Sequence, residues 1–208
     1  MTVAIDRDST VAWMASFATA MADHRQELVR LDTAIGDGDH GTNMNRGMEK
    51  AVAQLDAAEP ADPGAVLKAV AMTLISTVGG AAGPLYGTLF LGLGNAIAGT
   101  PDVDLPSFAA AWRKATEAVQ ARGKAQPGDK TMVDALLPAV EAMEQASDLN
   151  GGLAAAAQAA EQGALATTPL VARKGRASYL GERSAGHQDP GATSTYYLFK
   201  TAAEALAD

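Results

Sequence analysis

The stretch AVAMTLISTVGGAAGPLYGTLFLGLGNAIAGTP, Ala69 through Pro101, decides the fold, because no side chain in it is charged. Its length exceeds the roughly 20 apolar residues that cross a bilayer. Two features argue against a span. Gly79, Gly80, Gly83 and Pro84 interrupt the run, and Lys68 is the only cation flanking either end. A broken helix in lipid leaves backbone N–H and C=O groups with no water to satisfy them. The run therefore reads as two core helices meeting at a tight glycine turn, with no membrane association.

Outward from this run the apolar spacing stays helical. Met14, Phe17, Met21, His24, Leu28 and Leu31 recur at steps of three or four after the capping candidates Ser9 and Thr10. The same step joins Met44, Met48, Val52 and Leu55, then Phe108, Trp112, Ala115 and Val119, then Val133, Leu136, Val140 and Met143. Pro138 within the last set predicts a local kink. Ala154–Ala166 is alanine-rich, the composition with the best intrinsic helix propensity. Alternating Val-, Ile- and Thr-rich runs, the mark of strands, are absent. The reading is all-α, one domain over residues 1–208, with about seven or eight helices.

Composition narrows the function. In 208 residues, 48% hydrophobic content supports a full core and excludes intrinsic disorder. With no Cys there is no disulfide scaffold, thiolate zinc site or cysteine nucleophile. Sixteen Lys and Arg against 24 Asp and Glu, a formal net charge of -8, argue against a nucleic-acid binder, which needs a broad basic face. A local cluster can still hold a small anion. The opening Met1–Asp8 lacks the apolar core of a secretion signal, which gives a cytoplasmic expectation.

The loops carry more chemistry than the helices. Leu31–Asn43 reads LDTAIGDGDHGTN, with Asp32, Asp37 and Asp39 separated by glycines. Such crowded carboxylates repel one another unless a cation lies between them, and hard oxygen donors suit Mg2+ or Ca2+. A solvated turn is the alternative. An EF-hand fails because Thr42 takes the glycine position and Met48 the bidentate one. Gly36-x-Gly38-x-x-Gly41 matches a dinucleotide fingerprint in letters only. It follows no strand, and its aspartates would confront the pyrophosphate. A metal-mediated phosphate site survives, in which the amides of Gly41, Thr42 and Asn43 open the next helix toward a phosphate.

Gly123–Thr131 misses a P-loop because Asp129 stands before Lys130 and no strand precedes it. The other reading is a helix-ending glycine followed by a cap at Asp129. Val78–Pro84 is small enough for close approach by another helix or by a flat ligand. Ala172–Gly191 is too long for a bundle turn. Its Arg173, Lys174, Arg176 and Arg183 outnumber Glu182 and Asp189, suggesting either a mobile phosphate-facing lid or a solvated charged loop. His24, on the first apolar stripe, reads as a packed structural histidine, while His40 and His187 fall in the informative loops. No Gly-x-Ser-x-Gly elbow supports a serine hydrolase.

Taken in order, Gly36-Asp37-Gly38-Asp39-His40-Gly41, Val78–Leu85, Arg122-Gly123-Lys124 with Pro127–Met132, and Ala172–Ser194 resemble the dihydroxyacetone kinase L subunit family over essentially the full length. The resemblance implies an antiparallel barrel of about eight helices with ADP and two Mg2+ ions at one end. It implies Asp32, Asp37 and Asp39 as metal ligands, and His40, Gly41, Thr42 and Asn43 at the phosphates. Ala81, Ala82, Gly123 and Met132 would line the nucleotide, with Arg176, Asp189, Pro190 and Gly191 closing over it and Arg176 assisting transfer. Ala82 stands where the family often has Ser, which removes one hydroxyl contact. In phosphotransferase-linked members, ADP resembles a fixed cofactor: a phosphohistidine protein, the M subunit, phosphorylates it in place. The ATP then phosphorylates dihydroxyacetone bound on a separate K subunit, without which this chain would be catalytically incomplete. The alternatives are the same role in an ATP-dependent kinase for another short ketose, an ADP-bound adaptor for a transcription regulator, and a two-metal phosphohydrolase.

Overall fold

A computed structural model describes residues 4–207. Among these residues there are nine α-helices: α1 (Arg7–Asp23), α2 (Arg25–Ile35), α3 (His40–Ala58), α4 (Pro63–Thr77), α5 (Ala82–Ala96), α6 (Leu105–Gly123), α7 (Val133–Glu144), α8 (Leu149–Ala166) and α9 (Pro190–Ala205). A 3-10 segment, Arg176–Ser184, lies between α8 and α9, and a single antiparallel bridge joins Ile5 to Val103. Residues 1–3, on which part of the leader reading rests, lie outside the described set. No helix among the described residues is long and apolar enough to cross a membrane. The uncharged run forms α4 and α5, joined by the Val78–Ala81 turn.

Sequence neighbours α3 to α9 pack in succession, and α1 packs against both α9 and α3, so eight helices close a ring. Short connections make successive members from α3 to α8 antiparallel, and the long segment after α8 returns to its starting point, where the Asp189 amide donates to Thr167 Oγ1, so that α9 reverses as well. The ring is filled by apolar side chains, with Trp13, Phe17, Phe90, Phe108, Trp112 and Phe199 all fully buried. Trp13 meets the edge of Phe108 at a centroid separation of 6.1 Å. Its indole N–H donates to the Leu198 carbonyl at 3.1 Å, tying α1 to α9 where the ring closes.

The alternation sorts the connections. The α2–α3, α4–α5, α6–α7 and α8–α9 loops share one end of the ring, and they are the four loops with unusual composition. Helix capping follows the same division. At the opposite end α1, α4, α6 and α8 each begin behind an aspartate, Asp6, Asp62, Asp104 and Asp148, whose carboxylate accepts a first-turn amide. At the loop-rich end α3, α5 and α7 begin without a side-chain cap, and only α9 has one, from Asp189.

Two local expectations need correction, and Pro138 lies inside a helix as the spacing predicts. The first helix is capped by Asp6 rather than by Ser9 or Thr10; Ser9 is the reciprocal partner of a capping box three residues later. The first apolar stripe breaks at His24, which separates α1 from α2. His24 is half-buried rather than packed in the core: its ring stacks on Tyr197 at 4.0 Å and Nδ1 lies 2.9 Å from Glu27. α7 runs through Pro138 as one helix. Pro138 has no N–H for the Asp134 carbonyl, and Gly163 of α8 packs against that carbonyl where a Cβ would collide.

Candidate functional site

The α2–α3 loop is built around Asp32. From the last turns of α2, its Oδ2 accepts the backbone N–H of Asp39 at 2.8 Å and of His40 at 3.0 Å. Those two bonds fold the loop back so that Asp37 and Asp39 return to Asp32. Carboxylate oxygens of all three lie within 4.8 Å of one another, with Asp32 buried and the other two exposed. Gly36 is needed for space, since a Cβ there would strike Asp32 Oδ1, whereas Gly38 is needed for its φ of +74°. Arg176 Nη2 reaches Asp37 Oδ2 at 3.0 Å and partly offsets the charge. The donors are all oxygen and mutually repelling, so they fit a hard divalent cation better than they fit one another.

The aspartates sit at the mouth of a cavity of about 600 Å³, a volume within the usual range for small-ligand sites. Its wall takes His40 from α3, Gly79–Ala82, Leu85 and Tyr86 around α5, Val119 and Gly123 from α6, and Lys130–Val133 before α7. The segment between α8 and α9 contributes Lys174–Ala177, and the start of α9 contributes Asp189–Gly191. Of the residues singled out in sequence, Asp32, Asp37, Asp39, His40, Ala81, Ala82, Gly123, Met132, Arg176, Asp189, Pro190 and Gly191 thus converge on one cavity.

Gly41, Thr42 and Asn43 lie in the first turn of α3, off this wall. The Asn43 amide already donates to the Asp39 carbonyl at 2.9 Å, so it is not free for a phosphate. The Gly41 and Thr42 amides have no partner among the described residues and keep that capacity. His187 is exposed and only its carbonyl is used. Asp129 caps no helix; its Oδ2 accepts the Gln126 amide, while Asp134 takes the Gly128 and Thr131 amides before α7.

Behind the aspartates, His40 Nε2 lies 2.8 Å from Ser194 Oγ, which lies 2.7 Å from the Tyr86 hydroxyl. All three side chains are buried. Burial pushes Tyr86 up to about 12 and lowers His40 to about 4, with the Asp32 charge opposing the latter. Burial also raises Asp189 to about 7, against the Ala192 N–H and Lys130 and assisted by Asp134 and Asp32. The two shifts have opposite consequences for stability. Between pH 4 and 6.5 folded His40 binds fewer protons than unfolded His40, so its contribution is lost as pH falls. Between pH 3.8 and 7 folded Asp189 binds more protons than unfolded Asp189, so stability is lost as pH rises. In magnesium-free protein the two slopes oppose each other. Asp189→Asn, which keeps a competent cap, should expose the His40 slope: denaturant melts at stepped pH should show a loss of ~3 kcal/mol from pH 6.5 to 4 relative to wild type.

Sequence reasoning missed Tyr86 altogether, gave Lys130, Ser194 and Arg122 no role of their own although the motifs contain them, and named Lys174 only among the cations of the charged loop. Nothing in spacing alone marks Tyr86 or Ser194, since each sits on a helix among apolar and small residues.

The profile of the DAK2 domain matches residues 34–204. The chain belongs to the DAK2 domain family. This DAK2 domain is 44% identical over 210 residues to the PEP-dependent dihydroxyacetone kinase, ADP-binding subunit DhaL, of Escherichia coli, covering 99% of this chain and 100% of the relative. It is 42% identical over 200 residues to the PTS-dependent dihydroxyacetone kinase, ADP-binding subunit DhaL, of Lactococcus lactis, covering 96% and 98%. The solved dihydroxyacetone kinase of C. freundii superposes with a TM-score of 0.74 at 25% identity, over 98% of this chain and 35% of that one. The DAK2 domain is an all-α helical barrel, and its relatives are kinase subunits, which makes it a phosphotransferase component.

Proposed function

We propose that residues 1–208 form one nucleotide-binding helical domain, the ADP-binding subunit of a dihydroxyacetone kinase. On this reading it holds ADP or ATP through two Mg2+ ions in the cytoplasm. It relays a phosphoryl group from a phosphohistidine donor, the M subunit, to dihydroxyacetone on a separate K subunit. The observation that carries the reading is the meeting of Asp32, Asp37 and Asp39 at the mouth of a cavity lined by the first residues of α3 and α5, His40 and Ala82. The names of the E. coli and L. lactis relatives support the nucleotide and the kinase partner.

When bound, Mg2+ would neutralise the diphosphate and screen the three carboxylates from one another. The chain's own residues do the positioning. Asp32, braced by two amides, and the exposed Asp37 and Asp39 hold the cations. The free Gly41 and Thr42 amides offer donors to phosphate oxygens at a positive helix end. Leu85, Val119 and Met132, beside the small Ala82 and Gly123, form an apolar slot that a flat base can enter. Arg176 brings a guanidinium to the mouth, where charge develops during phosphoryl transfer.

Native mass spectrometry of the purified protein tests this directly. ADP with two Mg2+ ions should co-purify or bind on addition, and chelation should remove both. A chain that takes up no ADP at millimolar Mg2+ overturns the reading.

A further inference from the structure

Lys130 is fully buried with its backbone at φ +63°, an unusual conformation for a side-chain-bearing residue. Its Nζ donates to the carbonyls of Thr167 at 2.8 Å and Leu170 at 3.1 Å and to that of His187, with the Thr168 carbonyl at 3.5 Å. A buried ammonium persists only when its donors are satisfied, and here three N–H groups meet three neutral carbonyls. Those carbonyls are not neighbours in sequence. Thr167 and Leu170 lead out of α8, and His187 leads into α9, so the ammonium gathers both ends of the long excursion between them. Its own chain neighbours, Thr131 and Met132, line the cavity.

Weaker bonds follow the same line. The Gly186 amide donates to the Thr168 carbonyl at 2.8 Å, and the Arg173 amide to the Asp129 carbonyl at 3.1 Å. Ala172 donates to Ser184 Oγ at 2.8 Å, and Asp189 to Thr167 Oγ1 at 2.9 Å. Beyond this base, Lys174–Ala177 cover the cavity, and Gly175 and Gly181 stand at positive φ with open space around them.

We infer that Lys130 is a positioning residue: it pins both ends of the Thr167–Asp189 excursion to the cavity wall and thereby holds Lys174 and Arg176 over the bound nucleotide. The inference rests on the nucleotide reading for its occupant, and on the bonds above for the anchor. Lysine suits the place because its three donors splay toward three separate acceptors, whereas a planar guanidinium would not.

The test is Lys130→Met, which keeps the stem and removes the charge, beside Leu136→Ala, a core truncation on α7 away from the cavity. Losing a charged hydrogen-bond centre should speed ADP release, followed by stopped flow, about tenfold or more, with association unchanged. Amides of Ala172, Arg173, Gly186 and Asp189 should exchange faster, while the Ile5–Val103 bridge keeps its protection. Leu136→Ala should destabilise the fold yet release ADP at the wild-type rate. Wild-type release from Lys130→Met, or equal acceleration in both variants, overturns the inference. Should Lys130→Met not fold, the wild-type 15N signal of the Lys130 ammonium decides: slow proton exchange supports the anchor and rapid exchange refutes it. Failure of wild type to bind ADP defeats the nucleotide reading alone, because amide exchange without ligand still reports on the anchor.

Discussion

Asp37→Asn should weaken Mg2+-dependent ADP binding about a thousandfold while leaving the barrel folded. Removing one unit charge some 4 Å from a monovalent cation forfeits roughly 4 kcal/mol at a protein-surface dielectric, and the double charge of Mg2+ makes that a lower bound. The fold should not respond, because Asp37 is exposed, belongs to no helix, and has the exposed Arg176 as its ion-pair partner. Melting of the metal-free variant should match or exceed wild type, since one of three mutually repelling carboxylates is gone. Calorimetric titration with ADP at fixed Mg2+ reads the effect. Near-wild-type affinity would remove the metal from the centre of the proposal.

Arg176→Ala should separate chemistry from binding. A guanidinium aimed at a transferring phosphoryl group is worth roughly a thousandfold or more in turnover. The same side chain is largely exposed and has Asp37 as its one ion-pair partner among the described residues, so its loss should change ADP affinity by less than about tenfold. Reconstitution with K and M subunits and a single-turnover assay of dihydroxyacetone phosphorylation would show both numbers. An equal fall in affinity and turnover would make Arg176 a binding residue only.

Much of the barrel was legible because its helices bury clean stripes. Phe108, Trp112, Ala115 and Val119 recur at helical spacing and all face the core. The break at His24 was not legible, because α1 and α2 keep compatible spacing across it and neither glycine nor proline marks it. The first cap was misread by one turn, because a capping box places oxygen-bearing side chains at both of its ends and only geometry tells Asp6 from Ser9. In the site, the aspartate loop was readable since its charge density has no cheap structural use. Lys130 was not: the carbonyls that define it lie 37 to 57 residues away, and a backbone acceptor leaves no trace in the sequence.

The unequal treatment of helix starts has an evolutionary consequence. Four aspartates fasten helix starts at the end of the ring away from the cavity, so part of the scaffold's stability is supplied without any group of the site. Changes at those four caps are thereby felt in stability and not in what is bound, and the two properties can be selected separately.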